Sequence, residues 1–195
     1  MFIEAIIIGI IIGFFRKGKI NRLSYIDFNM PILAYLSAFF YIGIIIMNLG
    51  LLDLSSFLYS IFLLVSYILI GLFIIANISK KYMFIPLIGF FLNFISFIFN
   101  GFKFPISSDA ALLVYGSEIH NLLVEGKIKY FIPAENSTLS FLGIIFPINK
   151  FFSITILSIG DIVISFGIIL IVQSIISDKR IKSKNKITLS KDLFK

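Results

Sequence analysis

Apolar residues in this chain run in long unbroken blocks, not in the two-residue alternation of a half-buried strand, and short polar turns separate the blocks. Five blocks have the length or setting of helices that cross a bilayer. Met30–Leu52 is 23 residues long, carries Pro31 in its first turn, where a missing N–H costs little, and stops at Asp53. After a tight Asp53–Leu54–Ser55–Ser56 turn, Phe57–Ile78 runs to Lys80 and Lys81. Tyr82–Phe99 follows with Pro86 near its start, and a last block covers Phe151–Ile176, with its span at about 154–176. The first block, Ile3–Phe15, has 13 residues, which as a helix is about 20 Å against a hydrocarbon core of about 30 Å. Snorkelling of Arg16 and Lys17 and local thinning of the bilayer make up the difference.

Basic residues assign the sides. Of 17 Lys and Arg, 13 fall after the first span, between the third and fourth, or in the tail beyond Asp178; only Lys103, Lys127, Lys129 and Lys150 fall on the opposite side. Five spans with the N-terminus outside and the C-terminus cytoplasmic put every dense basic stretch in the cytoplasm. The expectation is an all-α integral membrane protein, one polytopic domain over residues 1–195, with an outer loop at 100–153 and a basic cytoplasmic tail at 177–195. A signal peptide fits poorly, because Glu4 precedes the first block and the basic residues follow it.

Composition strengthens this picture. The chain is 59% hydrophobic, well above the ~45–50% of soluble domains, and its mean hydropathy is +1.06. A net charge of +7 could suggest nucleic acid, but the basic residues flank apolar blocks and show no finger or aromatic-interleaved pattern. No nucleic-acid partner is expected; the tail instead suits anionic headgroups. Cysteine is absent, which excludes disulfides, thiolate catalysis and Cys-ligated metals. Abundant Ile, Phe, Lys and Asn point to an AT-rich coding bias, so a single apolar position carries little information.

Ala5, Gly9 and Gly13 recur every fourth residue and form one small-residue stripe on the first span. A stripe of this kind admits a second backbone closely, either another span of the same chain or a second copy in a homodimer. Glu4 and Asp161 are the two carboxylates beside apolar blocks at the outer ends of the first and fifth spans. A charge at mid-span costs about 2.5–3.5 kcal/mol and would then be functional. The alternative is capping: in Ser158–Ile159–Gly160–Asp161 the acid can start a helix, shortening the last span to Ile162–Ile176, and Glu4 suits a first turn. Ser37, Asn48, Ser66, Asn93, Ser96, Ser165 and Gln173 are expected to hydrogen-bond between helices.

The outer loop opens with Asn100–Gly101–Phe102–Lys103–Phe104–Pro105–Ile106–Ser107–Ser108–Asp109, where Asn–Gly and the proline force a turn. Ser107 or Ser108 can cap a short helix to about Glu125, with Gly126 as its stop and Leu112, Tyr115, Ile119 and Leu122 on one interfacial face. His120, the single histidine, lacks a spaced partner for metal binding or catalysis. Asn136–Ser137–Thr138 matches a glycosylation sequon that a bacterial-looking composition discounts. Leu139–Pro147 is too short to span and is expected to be re-entrant or interfacial. No catalytic constellation is legible, so neither an enzyme nor a cofactor is expected.

The start Met1–Phe2–Ile3–Glu4–Ala5, the Asn100–Ser107 exit, Phe141–Leu142–Gly143 with Pro147, and Ser158–Ile159–Gly160–Asp161 together resemble a family of uncharacterised small multi-pass membrane proteins of low-GC Gram-positive bacteria, a domain of unknown function. The resemblance covers nearly the whole chain and implies a bacterial plasma membrane without an activity. An acidic residue commonly follows the Leu–Gly pair in that family; here Ile144 stands there. The functional expectation is a non-enzymatic binding or organising component at the outer face, with Glu4, Asn100, Lys103 and Asp161 as candidate polar residues. The alternative is a subunit of a small-solute permease.

Overall fold

The computed structural model describes residues 1–48, 55–128, 130–149 and 154–178. The expected Asp53–Ser56 turn lies partly outside these residues, as do the end of the second block, the Asn48 side chain, Lys129, Lys150 and the basic tail from Lys179. The chain is mostly helical: α1 (Phe2–Phe15), α2 (Pro31–Asn48), α3 (Ser56–Ala76), α4 (Phe84–Phe99), α5 (Ser108–Val124) and α6 (Ile159–Ser177). Segments Phe57–Ala76 and Ile159–Ser177 are long and apolar enough to cross a membrane, while Phe2–Phe15, Pro31–Met47 and Phe84–Phe99 are shorter apolar helices.

Each apolar block meets its neighbour in a distinct way. Along α1, Ala5, Gly9 and Gly13 are its buried residues. They face α6, where a Cβ on Gly9 would lie 2.8 Å from Val172 Cβ, and one on Gly13 would lie 2.9 Å from Ile176 Cγ2. The ascending numbers on both sides make α1 and α6 parallel. Between α4 and α6 the register descends, Pro86 against Gly167, Gly89 against Gly160 and Ile164, so these helices are antiparallel. Helices α2 and α3 are clasped by serines: Ser37 Oγ donates to the Ser66 carbonyl at 3.0 Å, and Ser66 Oγ donates back to the Ser37 carbonyl at 3.1 Å. Asn93 bridges α4 to α6 and Gln173 accepts from Arg16 at 3.4 Å, as expected of polar residues in spans. The hydroxyls of Ser96 and Ser165 are buried without a hydrogen-bond partner among the described residues.

The outward faces are apolar. Ile3, Phe15 and Phe39 are 72%, 86% and 67% exposed, and they belong to a belt around the bundle far larger than the single patches soluble proteins leave bare.

Two expectations are corrected beyond α4. The first is the all-α fold, because the region after α4 builds a four-stranded sheet from β1 (Phe104–Ile106), β2 (Phe131–Pro133), β3 (Ile144–Asn149) and β4 (Ile154–Ser158), ordered β2-β1-β3-β4. Strand β1 runs parallel to β2 and β3, and β3 is antiparallel to β4 with an irregularity between Ile144 and Phe146. Within the described part of the last block, Ile154–Ser158 is strand and the helix starts at Ile159. Leu139–Pro147, expected to be re-entrant or interfacial, is a 3₁₀ turn at Ser140–Leu142 followed by most of β3.

The second concerns α5. Its start and stop are as expected, with Ser107 accepting from Ala110 N at 3.3 Å, Asp109 in the first turn and Gly126 at φ 69°. However, Gly116 at φ 83°, ψ 177° breaks the helix in the middle, so Leu112, Tyr115, Ile119 and Leu122 do not form one continuous stripe. The buried residues of α5 are Ala110, Ala111 and Leu123, which pack with Ile106 and Ile156 of the sheet in a small second core.

Candidate functional site

Sheet and α5 do not sit flush on the helices. Between them and α2, α3 and α4 is a cavity of about 700 Å³, within the ~300–1,000 Å³ of small-molecule sites. Its apolar walls come from Ile44, Leu63, Ile106 and Leu123, with Ile119 and Leu122 of α5. Five tyrosines also line it: Tyr41, Tyr59, Tyr67, Tyr115 and Tyr130. Tyr59 and Tyr130 stack with centroids 4.7 Å apart and 18° between planes, joining α3 to the cap that the sheet and α5 form over the helices. Tyr67 stacks on Phe94 and Phe97, and Phe97 in turn stacks on Phe104 at 4.9 Å. These rings hold the walls apart where small residues would let the helices close. Burial, then the neighbouring Tyr115, pushes the Tyr130 hydroxyl above its ordinary value, so it remains a neutral donor.

One polar cluster interrupts this lining. Asn93 Nδ2 donates to Asp161 Oδ1 at 2.9 Å, and Ser158 Oγ donates to Asn93 Oδ1 at 2.7 Å. Ser158 N donates to Asp161 Oδ2 at 3.1 Å and Asp161 N to Ser158 Oγ at 2.9 Å, completing a capping box at the start of α6. Asp161 is thus a helix cap, and its carboxylate also lines the cavity together with Asn93 and Ser158. Each carboxylate oxygen accepts one of these bonds and can accept another. The cluster's surplus is chiefly acceptor capacity, offered to whatever occupies the chamber. Lys127 lines the same cavity and pairs with Glu125 at 2.6 Å.

The other sequence candidates lie elsewhere. Glu4 pairs with the Met1 ammonium at 2.5 Å in the first turn of α1, away from the cavity lining. Asn100 is a clamp: its Nδ2 donates to the Ser96 and Thr138 carbonyls at 2.7 and 2.8 Å, and its Oδ1 accepts from Thr138 N at 2.8 Å. Lys103 is on the cap but outside the lining. The Ala5, Gly9 and Gly13 stripe is filled by α6 of the same chain. His120 Nδ1 is 3.4 Å from Asn121 Oδ1 at the surface, and no group of metal-ligating side chains occurs among the described residues.

Asn93 bonds between helices as expected, but its place in the cavity lining and the tyrosines beside it were not expected. A signal was available: in a chain that otherwise fills its spans with Ile and Phe, Tyr41, Tyr59 and Tyr67 carry hydroxyls into apolar blocks that have no structural need of them.

Three of the four short motifs singled out along the chain, Asn100–Ser107, Phe141–Gly143 and Ser158–Asp161, meet in this region, and Met1–Ala5 does not. Gly143 comes so close to β1 that a Cβ would lie 2.8 Å from the Pro105 carbonyl oxygen, and Gly160 is pressed against Asn93 and Gly89. No curated protein and no solved structure matches the chain. A model of the family of unknown function DUF5317 matches residues 25–173, more than half of the chain and every element that lines the cavity, so this protein belongs to that family.

Proposed function

We propose that this protein is a multi-pass protein of a bacterial plasma membrane, crossing it five times with the N-terminus and the cap outside. There it acts as a non-enzymatic binding component whose cavity takes an amphipathic small molecule. The up-and-down alternation of α1, α2, α3, α4 and α6 supports the five-span reading, together with their apolar outward faces and the basic residues gathered at one end. The observation that carries the binding assignment is the Asn93–Ser158–Asp161 cluster in the lining of a chamber whose other walls, apart from the Glu125-paired Lys127, are apolar and aromatic. An apolar body lies against the rings, and a donor-bearing head, an ammonium or a hydroxyl, meets the acceptors of Asp161. Tyrosine faces add to the attraction for a cationic head.

A permease subunit is less well supported. Beside the cluster, α4 and α6 are in backbone contact at Gly89 and Gly160, which closes the line a solute would follow through the bundle.

The chain has no tryptophan, so Ile119→Trp places one fluorophore on the cavity lining. Brominated dodecylamine is expected to quench it saturably, brominated dodecyl sulfate far less, and Asp161→Asn to weaken the amine by about tenfold, as loss of one charge-assisted contact implies. Equal, non-saturable quenching by both amphiphiles would remove the binding assignment.

A further inference from the structure

The opposite end of the bundle has its own cavity, of about 420 Å³, where α1 and α6 end and α3 turns into α4. Its lining divides into two halves. One is apolar, with Ile26, Phe28, Met83, Ile171 and Ile175; the other carries Arg16, Lys80 and Lys81 against a single acid, Asp178. Three cations gathered at one mouth repel one another, and a bundle that only needed topological anchoring could have spread them. Here the fold brings them together from segments distant in sequence.

Local bonds hold this end in shape. Lys19 N and Arg22 Nη1 both donate to the Ile176 carbonyl, at 3.0 and 2.6 Å, tying the segment after α1 to the last turn of α6. Asn77 accepts from Asn29 N at 2.8 Å and donates to the Asn29 carbonyl at 2.9 Å, fixing the stretch that carries Phe28 onto the end of α3. Lys80 donates to the Asp27 carbonyl and lies over the Phe28 ring at 5.5 Å. Lys80 is therefore partly engaged in structure, whereas among the described residues Lys81 contacts the Tyr82 face at 4.9 Å and Arg16 makes one long side-chain bond, to Gln173. The guanidinium and the Lys81 ammonium retain most of their donor capacity.

We propose that this cavity is a phosphate-binding site occupied by the headgroup of an anionic glycerophospholipid. Its phosphate lies between Arg16 and Lys81, and its glycerol and first acyl carbons lie along Phe28, Met83 and Ile171. The apolar half selects lipid over a free anion, since inorganic phosphate would leave that surface uncovered. Basic pockets between helix ends at a membrane surface recognise anionic headgroups by the same combination of charge and shape. The inference requires that the helices reside in a bilayer and is independent of what fills the tyrosine-lined chamber.

The test uses the full chain in a neutral detergent, followed by native mass spectrometry and by its thermal midpoint. The probes are short-chain phosphatidylglycerol, short-chain phosphatidylcholine and inorganic phosphate. Phosphatidylglycerol is expected to bind at unit stoichiometry and raise the midpoint, and phosphatidylcholine to do neither. Arg16→Gln with Lys81→Gln should weaken phosphatidylglycerol about tenfold or more, while Lys103→Gln on the cap leaves it unchanged. Lys81→Glu alone, an exposed position, gives a second measure if the double variant is poorly folded. Equal retention of phosphatidylglycerol by the basic-end and cap variants overturns the site, and so does equal binding of phosphatidylcholine. Inorganic phosphate matching phosphatidylglycerol, and lost in the same variants, would uphold the anion site and overturn its assignment to lipid.

Discussion

The seams that join α1, α6 and α4 and the seam that joins α3 to α4 and the cap solve the same packing problem in opposite ways. On the first, Gly9, Gly13, Gly89, Gly160 and Gly167 let helices approach until a single added carbon would collide. On the second, the Tyr59, Tyr67, Phe94 and Phe97 rings stand between elements and keep them apart. In lipid, where burial from water drives no association between helices, close van der Waals contact supplies much of the cohesion. The glycine side is therefore where stability concentrates, and the aromatic side is where space for a ligand can be left without loss of the fold. Asn93 and Asp161 lie where the two regimes meet, held by one and facing the other.

Substitutions at the seams separate these roles. The largest effect is expected for Gly89→Leu, since its Cβ would lie 2.5 Å from the Gly160 carbonyl oxygen, and backbone cannot rotate away. We expect a loss of about 3 kcal/mol, the upper end of overpacking costs, read as a lowered midpoint of denaturation in mixed micelles. Near-native stability would show that α4 and α6 are not close-packed. Gly9→Leu comes next: its nearest neighbour is the Val172 side chain at 2.8 Å, with the Ile169 carbonyl at 3.0 Å. Part of that clash can relax, and about 1–2 kcal/mol is expected. The variant should lose stability as a monomer; dissociation of a dimer with unchanged stability would return the stripe to a second copy.

The smallest effect belongs to the cap. Burial alone would raise the Glu135 pKa, but hydrogen bonds from its own backbone and from Ser108, with His120 nearby, hold it below the ordinary 4.5. Its carboxylate accepts from Ser108 N at 3.2 Å and Ser108 Oγ at 2.8 Å at the start of α5. A depressed acid stabilises the folded state fully above its ordinary pKa and loses that contribution as pH falls through the lowered value. Proteolysis of α5 should therefore accelerate as pH drops below 4.5, and Glu135→Gln should remove that dependence while leaving the glycine seam untouched. A Glu135→Gln protein with the same acid response as the parent would assign the effect to another group.

How much of this was legible in the sequence follows from the length scale of each signal. Long apolar blocks outweigh local ambiguity, so α1, α3 and α4 and the start of α2 were placed within a few residues of their ends, whereas the start of α6 was expected inside what is strand β4; the Ser158–Asp161 cap was readable because capping is a contact three residues apart. The α5 caps were legible for the same reason, whereas its kink at Gly116 was not, since a lone glycine in a helical stretch does not announce a positive φ. The sheet was hidden by Pro105, which reads as a turn yet sits in central strand β1. Phe104 N donates to Tyr130 on the β2 side, so the missing N–H of Pro105 falls on the β3 side, where pairing begins only at Ile106. The cavity depends on rings brought together from α2, α3, α5 and the segment before β2, and no spacing along the chain encodes that meeting.

The proposed five crossings place the tyrosine-lined chamber outside and the basic cavity inside. Because the chain has no cysteine, single substitutions report sidedness against a silent background. Asn136→Cys on the cap and Lys81→Cys at the basic end are both exposed positions, suited to a membrane-impermeant maleimide. Labelling of Asn136→Cys in intact cells, with Lys81→Cys labelled only after permeabilisation, is the expected result; the reverse pattern, or labelling of both in intact cells, would contradict it.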